Sequence, residues 1–305
     1  KMLELPEPRR PRFAVYNEIA ARGYREVVSY AFVDEQWEQD FAANTNPIRL
    51  QNPLAAQYAV MRSTLISGLV EVLQNNLNRK QNRVRVFEIA RVFRKDSADQ
   101  FVQNERIGGL WYGSVLPEQW GEKTRNVDFY DIKGDVESLL KNKEVTFVKT
   151  EHPALHPGRA ANIVSDGRVV GFVGELHPKW LQKYDLPQAP LVFEVDMDAV
   201  LGREKTRYQS VSKFQPARRD LAFVMPEAVT HDDLLNALKA AANKLVQEIS
   251  VFDVYRGTGV PEGMKSVAVK IILQDMENTL TDEVIEPLVV KMIKAAAEKD
   301  AQLRA

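Results

Sequence analysis

FQPARRDLAFVMPEAVTHDDLLNALKAAANKLVQEISVFDVYRGTGVPEGMKSVAVKIILQDMENTLTDEVIEPLVVKMIKAAAEKDAQLR, running from Phe214 to Arg304, decides the fold of the end of the chain. Asp220–Val224 reads as a strand. Thr230 then caps a helix to Asn243, with Asp233 three residues on as its capping-box partner. Ile249–Tyr255 and Val267–Leu273 are strand-forming runs joined by the glycine-rich turn Gly257–Gly263. Thr281 caps a second helix to Lys299, and Gln302–Arg304 adds a short edge strand. The order β-α-β-β-α-β within about 95 residues is the split βαβ, or ferredoxin-like, arrangement.

Outward from there, the polar run Leu201–Gln209 (LGREKTRYQ) marks a linker, so two domains are expected, 1–205 and 206–305. In the first, Arg12–Arg22 has apolar residues at helical spacing and ends at Gly23, a natural residue beyond a helix C-cap. Val27–Val33 (VVSYAFV) reads as a strand, and Asp34 caps a short helix carrying Trp37 and Phe41. Ser63–Asn78 is the best helix, with Leu65, Leu69, Val72 and Leu73 on one side. Arg83–Phe93 alternates Val84, Val86 and then Ile89 against charged residues, which predicts a strand with one polar face. Arg106–Tyr112, Val145–Val148, Ala161–Val164, Val169–Val173 and Leu191–Val195 are further strands. Asp131–Lys141 is a helix, and Asp166-Gly167 is a hairpin turn. The expected class is α+β.

Composition narrows the functions. The 305 residues are 45% hydrophobic and 27% charged, ordinary for a globular protein. Lys+Arg number 41 and Asp+Glu 42, a net charge of −1, so bulk charge does not hold nucleic acid here. An RNA partner must meet a local site or one shared with another subunit. The lack of cysteine excludes disulfides, zinc knuckles and a thiol nucleophile, and fits a reducing cytoplasm. No apolar run approaches the ~18 residues of a membrane span and no signal peptide opens the chain, so no membrane partner is expected. The start, Lys1-Met2-Leu3-Glu4 running into a Pro-Arg segment from Pro6 to Pro11, reads as the middle of a longer protein.

Catalytic motifs are absent. The chain has no G-x-S-x-G, no Walker A and no zinc-deaminase pattern. The loop Gly257–Gly263 joins two strands and leads into no helix, so it lacks the helix N-terminus that holds a phosphate. His152 and His156 are four apart, but Pro153 and Pro157 follow them, so turn histidines are the ordinary reading. His177 reads the same way, and His231 as a solvated residue at a helix start. Asp128, Asp131 and Asp135 have the spacing to hold a hard cation; an acidic helix N-terminus is the commoner case. Arg79, Lys80, Arg83, Arg85 and Arg91 form a basic band, either a solvated face or a contact with RNA or a neighbouring subunit.

Several blocks carry a resemblance. They are GYREVVSYAF (Gly23–Phe32), LQNPLAAQYAVMRSTLISGLVEVLQNNLNRKQNRVRVFEIARVF (Leu50–Phe93), VDFYDIKGDVESLL, ALHPGRAA, VGFVGELHP and LVFEVDMD. FQPARRDLAFVMP, VFDVYRGTGVPEGMKSVAVKIILQD, TLTDEVI and AQLR follow in order. Together they resemble the C-terminal part of the β-subunit family of bacterial phenylalanyl-tRNA synthetase. The resemblance implies a class II synthetase-like antiparallel sheet with helices that has lost its chemistry, then a ferredoxin-fold anticodon-binding domain. RVFEIARVFR (Arg85–Arg94) echoes a class II motif strand, but none of the 15 glycines sits in the late G-x-G-x-G…R pattern that serves ATP. The editing domain, the N-terminal RNA-binding module and the magnesium-associated module would lie upstream.

The resemblance also implies partners: a catalytic α subunit, in a heterotetramer of two α and two β, and tRNA(Phe). It implies no cofactor in this chain, while the holoenzyme uses ATP and Mg2+. On the strand Ile249–Tyr255, simple alternation puts Val251, Asp253 and Tyr255 on the open sheet face and turns Phe252 and Val254 to the helices. Tyr255 would stack on an anticodon base, while Asp253 and Ser266 would hydrogen-bond to it. These positions resemble those the family uses on the anticodon; Arg219 and Arg256 would neutralise phosphate. Met61 and Leu65 are expected at the contact with the α subunit. The rival readings are a free-standing RNA-binding or regulatory paralogue and an independent metal enzyme built on the three aspartates.

Overall fold

The computed structural model describes residues 10–96, 99–141, 143–202, 208 and 210–304. The chain divides into two units, Lys1–Thr206 and Arg207–Ala305. The first unit runs α1 (Arg12–Ala21), β1 (Arg25–Glu26), β2 (Phe32–Val33), α2 (Glu35–Ala42), β3 (Val60–Met61), α3 (Ile66–Asn78), β4 (Val84–Lys95) and β5 (Phe101–Tyr112). It continues through α4 (Phe129–Leu139), β6 (Val145–Lys149), β7 (Leu155–Ser165), β8 (Arg168–Leu176), α5 (Pro178–Lys183), β9 (Leu191–Asp196) and α6 (Met197–Leu201). A seven-stranded sheet has the order β1-β4-β5-β9-β8-β7-β6, antiparallel except for the parallel pair β1–β4.

Apolar residues line both faces of this sheet. Phe87, Ile89, Ile107 and Trp111 pack with Val15 and Ile19 of α1, Ile132 and Val136 of α4, and Val200 of α6. Val84, Val86 and Leu110 pack on the other face with Phe41 of α2, Leu69 and Leu73 of α3, and Trp180 of α5. The polar face expected of Arg83–Phe93 is therefore not a solvated one. Its charged members Arg85 and Glu88 are partnered inside the fold.

Two expectations in this unit need correction. Val27–Val33 is not one strand: only Arg25–Glu26 and Phe32–Val33 pair with neighbours. Between them the Glu88 carboxylate accepts from the Ser29 amide (3.2 Å) and hydroxyl (2.6 Å), so a side chain replaces the strand partner. Leu65 is not an interface residue. It is 0% exposed and packs on Gly108 of β5, where an added Cβ would stand 3.0 Å from the Leu65 Cβ. Met61 is half-buried in the short ladder with Phe32.

The second unit runs β10 (Ala217–Pro226), α7 (His231–Ala241), β11 (Val246–Tyr255), β12 (Met264–Leu273), α8 (Asp282–Ala297) and β13 (Gln302–Leu303). Its antiparallel sheet has the order β11-β12-β10-β13. Both helices pack on one face: Leu234 and Leu238 of α7 and Ile285, Val289 and Met292 of α8 meet Phe223, Val267, Val269 and Ile271. Thr230 and Asp233 form the expected capping box. This is the ferredoxin-like βαββαβ arrangement. The linker expected over Leu201–Gln209 lies largely outside the described residues; Leu201 closes α6. Among the described residues, no helix is long and apolar enough to cross a membrane.

Two stability measurements follow. Leu65→Ala should cost about 2–5 kcal/mol in chemical denaturation, as for a fully buried leucine, while Met61→Ala should cost under about 1.5 kcal/mol. Equal losses would mean that Leu65 is misplaced in the core. His152 lies against Phe172, with ring centroids 4.2 Å apart. Burial is the main cause that lowers its pKa to about 4; the Arg106 charge adds to this and Glu194 opposes it. Because its folded pKa lies below the usual ~6.5, the neutral form favours the native state. That contribution is complete above pH ~6.5 and is lost as pH falls towards 4, by at most about 3 kcal/mol. Chemical denaturation across this window should show the decline, and His152→Asn should flatten it.

Candidate functional site

The carboxylates of the first unit serve the fold. Asp128 caps α4, accepting from the Tyr130 amide (2.8 Å) and the Asp131 amide (3.1 Å). Asp131 accepts in return from the Asp128 amide (2.9 Å), and Arg125 grips it with two nitrogens at 2.6 and 2.7 Å. This pairing with Arg125 lowers the Asp131 pKa. Asp135 is different: it is 3% exposed and accepts from Arg22 (2.8 Å), the Tyr24 hydroxyl (2.8 Å) and Arg85 (2.5 Å). The Arg85 guanidinium lies 3.4 Å from the centre of the Trp111 ring and 4.4 Å from that of Tyr24. Among the described residues, no three His, Asp or Glu side chains gather to hold a metal ion.

The histidines and the basic band resolve in the same way. Nδ1 of His152, His156 and His177 each accepts from a backbone amide two residues on, as turn residues do. Arg83 donates to the carbonyls of Ser114 (3.0 Å) and Val115 (2.9 Å). With Arg85 stacked inside, the expected band is not one surface. A cleft of about 590 Å³ opens in this unit beside Ser63, Thr64, Asn104, Arg106 and His152. Arg106 in its wall is engaged by the protein: it donates to Glu194 (2.8 Å) and pairs with Asp196 (2.9 Å).

In the second unit both helices pack on one face of the sheet, and the other face carries neither of them. Register defines it: Tyr255 pairs with Ser266, Asp253 with Ala268, and Ala268 in turn with Ala222 of β10. The alternate residues Val267 and Val269 are buried against the helices. Tyr255 is 40% exposed, with the Arg304 guanidinium 5.7 Å from its ring centre. Asp253 is exposed, while Ser266 is 4% exposed, directly across from Tyr255. The expected trio is thus brought together, with its serine buried at the floor.

Three other expectations change here. Phe252 is not core. The register slips between Val251 and Asp253, so β11 carries one more residue there than β12. Phe252 is that residue, 53% exposed, with its ring 5.7 Å from the Arg218 guanidinium. The slip also turns Val251 to the helices, opposite buried Val269. Val254 does face that side, opposite buried Val267, but at the sheet edge it stays 47% exposed. Arg219 is not on the open face: it pairs with Ile271 of the core side and is bound to Asp282 and to Glu286 (3.4 Å) of α8. Arg256 is exposed beyond β11 and is paired with Glu227.

Residues 3–197 match the family model of the phenylalanyl tRNA synthetase beta chain CLM domain. Residues 212–304 match that of the ferredoxin-fold anticodon binding domain. Among curated relatives, the phenylalanine–tRNA ligase beta subunit of Neisseria meningitidis serogroup B is 84% identical over 304 residues. Those of Neisseria gonorrhoeae and Chromobacterium violaceum are 83% and 53% identical. Each alignment covers 100% of this chain and 39% of the relative, so the chain spans about two fifths of their length.

Asp135 separates a structural carboxylate from a metal ligand by measurement. Asp135→Ala leaves Arg85 without its carboxylate and should cost about 3–5 kcal/mol, the range for breaking a buried pair. Asp128→Ala removes only a helix cap and should cost about 1 kcal/mol. Denaturation with and without EDTA should give the same curves for the unsubstituted protein. A chelator-dependent shift would restore the metal reading.

Proposed function

The chain belongs to the phenylalanyl-tRNA synthetase β-chain family, and we propose on that footing that its second unit reads the anticodon of tRNA(Phe) with the open face of its sheet. The observation that carries this reading is the shared placement of Tyr255 and Asp253 on the face that no helix covers. RNA readers of this shape stack unpaired bases on exposed aromatics and test their edges with polar groups. Tyr255 supplies the ring. Asp253 supplies a carboxylate that accepts from a guanine edge. Ser266, buried across from Tyr255, supplies a hydroxyl at the floor of the same site. Arg256, exposed at the rim, is the arginine placed to meet phosphate; Arg219 drops out.

Charge plays a minor part in this reading. From Arg207 onward there are 13 Lys+Arg against 14 Asp+Glu. Stacking and edge contacts then carry the affinity, and its dependence on salt should be shallow.

The first unit, in the same reading, supports a catalytic α subunit in an assembly of two α and two β. The ATP- and Mg2+-dependent formation of the aminoacyl-adenylate belongs to α, in the cytoplasm. What supports this is the use of the chain's own candidate groups: Asp128, Asp131, Asp135, Arg85 and Arg106 are each engaged with other side chains or with the backbone.

The test uses the assembled synthetase and tRNA(Phe) transcripts at one fixed salt concentration. Tyr255→Ala should weaken binding by roughly 5- to 150-fold, the alanine-scan range for base stacking. Asp253→Ala should instead shrink the preference for guanine at the contacted position and leave affinity for a substituted anticodon nearly unchanged. The double variant should lose less than the product of the two losses, because both side chains hold one nucleotide. Unchanged binding by Tyr255→Ala would place the reading face elsewhere.

A further inference from the structure

We infer that Phe252 is a second stacking platform on the same open face, receiving the unpaired base next along the strand from the one on Tyr255. The inference rests on the anticodon reading above and extends it to a residue that simple alternation assigns to the core. Three observations carry it.

The first is the bulge. At such an irregularity two consecutive side chains oppose one partner and point to nearly the same side. Asp253 faces the open side through its pairing with Ala268, so Phe252 shares that side. The second is its neighbour. Arg218 pairs with Ile272 while Arg219 pairs with buried Ile271, so Arg218 also belongs to the open face, and its guanidinium lies 5.7 Å from the Phe252 ring. Asp220 accepts from Nε and Nη2 along one edge of that guanidinium, at 2.8 and 2.9 Å. A ring beside a fixed guanidinium plane is a seat for a base, since both surfaces accept stacking. The third is exposure. Phe252 is 53% exposed, so its ring is accessible to a base.

Spacing decides how the partner arrives. Phe252 and Tyr255 are three positions apart, roughly 10 Å at the strand rise of ~3.3 Å. Bases in a continuous stack are separated by ~3.4 Å, so one stacked run cannot serve both rings. Two bases splayed from each other can. The floor between the rings is Ala268 and Ala222, small side chains that let a ribose or base lie flat. An RNA strand with splayed loop bases fits this arrangement better than a protein segment, because the charged Asp253 and the small Ala268 lie between the two rings.

The experiment again uses the assembled synthetase with tRNA(Phe) transcripts. Phe252→Ala should weaken binding roughly 5- to 150-fold. Phe252→Tyr should retain affinity, and Phe252→Leu, which keeps apolar bulk without a ring, should fall with alanine. A transcript made abasic at the neighbouring nucleotide should weaken binding to the unsubstituted enzyme by a similar factor and show no further loss with Phe252→Ala. Wild-type binding by Phe252→Leu would overturn the proposal. So would unchanged binding by Phe252→Ala while Tyr255→Ala still weakens it, a result that leaves the anticodon reading in place. If neither variant loses affinity, the anticodon reading itself fails. Loss of α–β assembly by Phe252→Ala, with tRNA affinity intact in the complex that remains, would identify a protein contact instead.

Discussion

The turn Arg62–Leu65 is tied to three buried carboxylates, each from a different element. Glu88 of β4 accepts from two nitrogens of Arg62 at 3.1 and 3.2 Å. Glu38 of α2 accepts from the Ser63 amide (2.9 Å) and hydroxyl (2.6 Å). Glu194 of β9 accepts from the Thr64 hydroxyl (2.6 Å) and the Leu65 amide (2.8 Å). A buried carboxylate without partners costs several kcal/mol, so each one strongly prefers the arrangement in which its donors are delivered. The turn delivers them all at once. It also seats Leu65 against Gly108 and so sets where α3 begins. Glu38 is held by neutral donors, Ser63 and Asn44, and burial raises its pKa.

Asp135 does a similar job on the opposite side of the sheet, collecting Arg22, Tyr24 and Arg85. The first unit is therefore organised by polar groups inside two apolar layers. That accounts for its chemistry. Acids, arginines and histidines that would suit a catalytic centre are present in number, and most are satisfied internally. What reads as a candidate metal site along Asp128–Asp135 is two separate devices, a helix cap and a buried ion-pair hub.

Local rules explain which parts of this were legible in the sequence. The βαββαβ order, the Thr230 capping box and the Asp166-Gly167 hairpin depend on residues close together in the chain. The placement of Asp253 with Tyr255 survives because both lie on the same side of the bulge. The failures involve distant partners or an inserted residue. The helix expected from Ser63 begins at Ile66, because the Ser63 and Thr64 hydroxyls donate to Glu38 and Glu194. Val27–Val33 has strand composition, yet at its middle a carboxylate from β4 takes the hydrogen bonds of Ser29. Alternation assumes one residue per partner, so it sends Phe252 inward; nothing in VFDVY reports that the ladder slips. The role expected of Arg219 fails for a different reason, since only the register with Ile271 shows which side of β10 it occupies.

The irregularity at Phe252 has a second effect. β11 is an edge strand, and so is the two-residue β13 at the other side of the sheet. A long straight edge offers a row of unpaired amides and carbonyls to any passing strand, which is how sheets grow into aggregates. β13 is too short to act as such a template. β11 is ten residues long, and its register slips twice, once near Gln247 and once at Phe252. Each slip breaks the repeat that an incoming strand would need to match. One inserted residue thus presents an aromatic ring and keeps a long edge from recruiting its own kind. Shortening β11 by that residue would remove the ring and, with it, a guard on solubility.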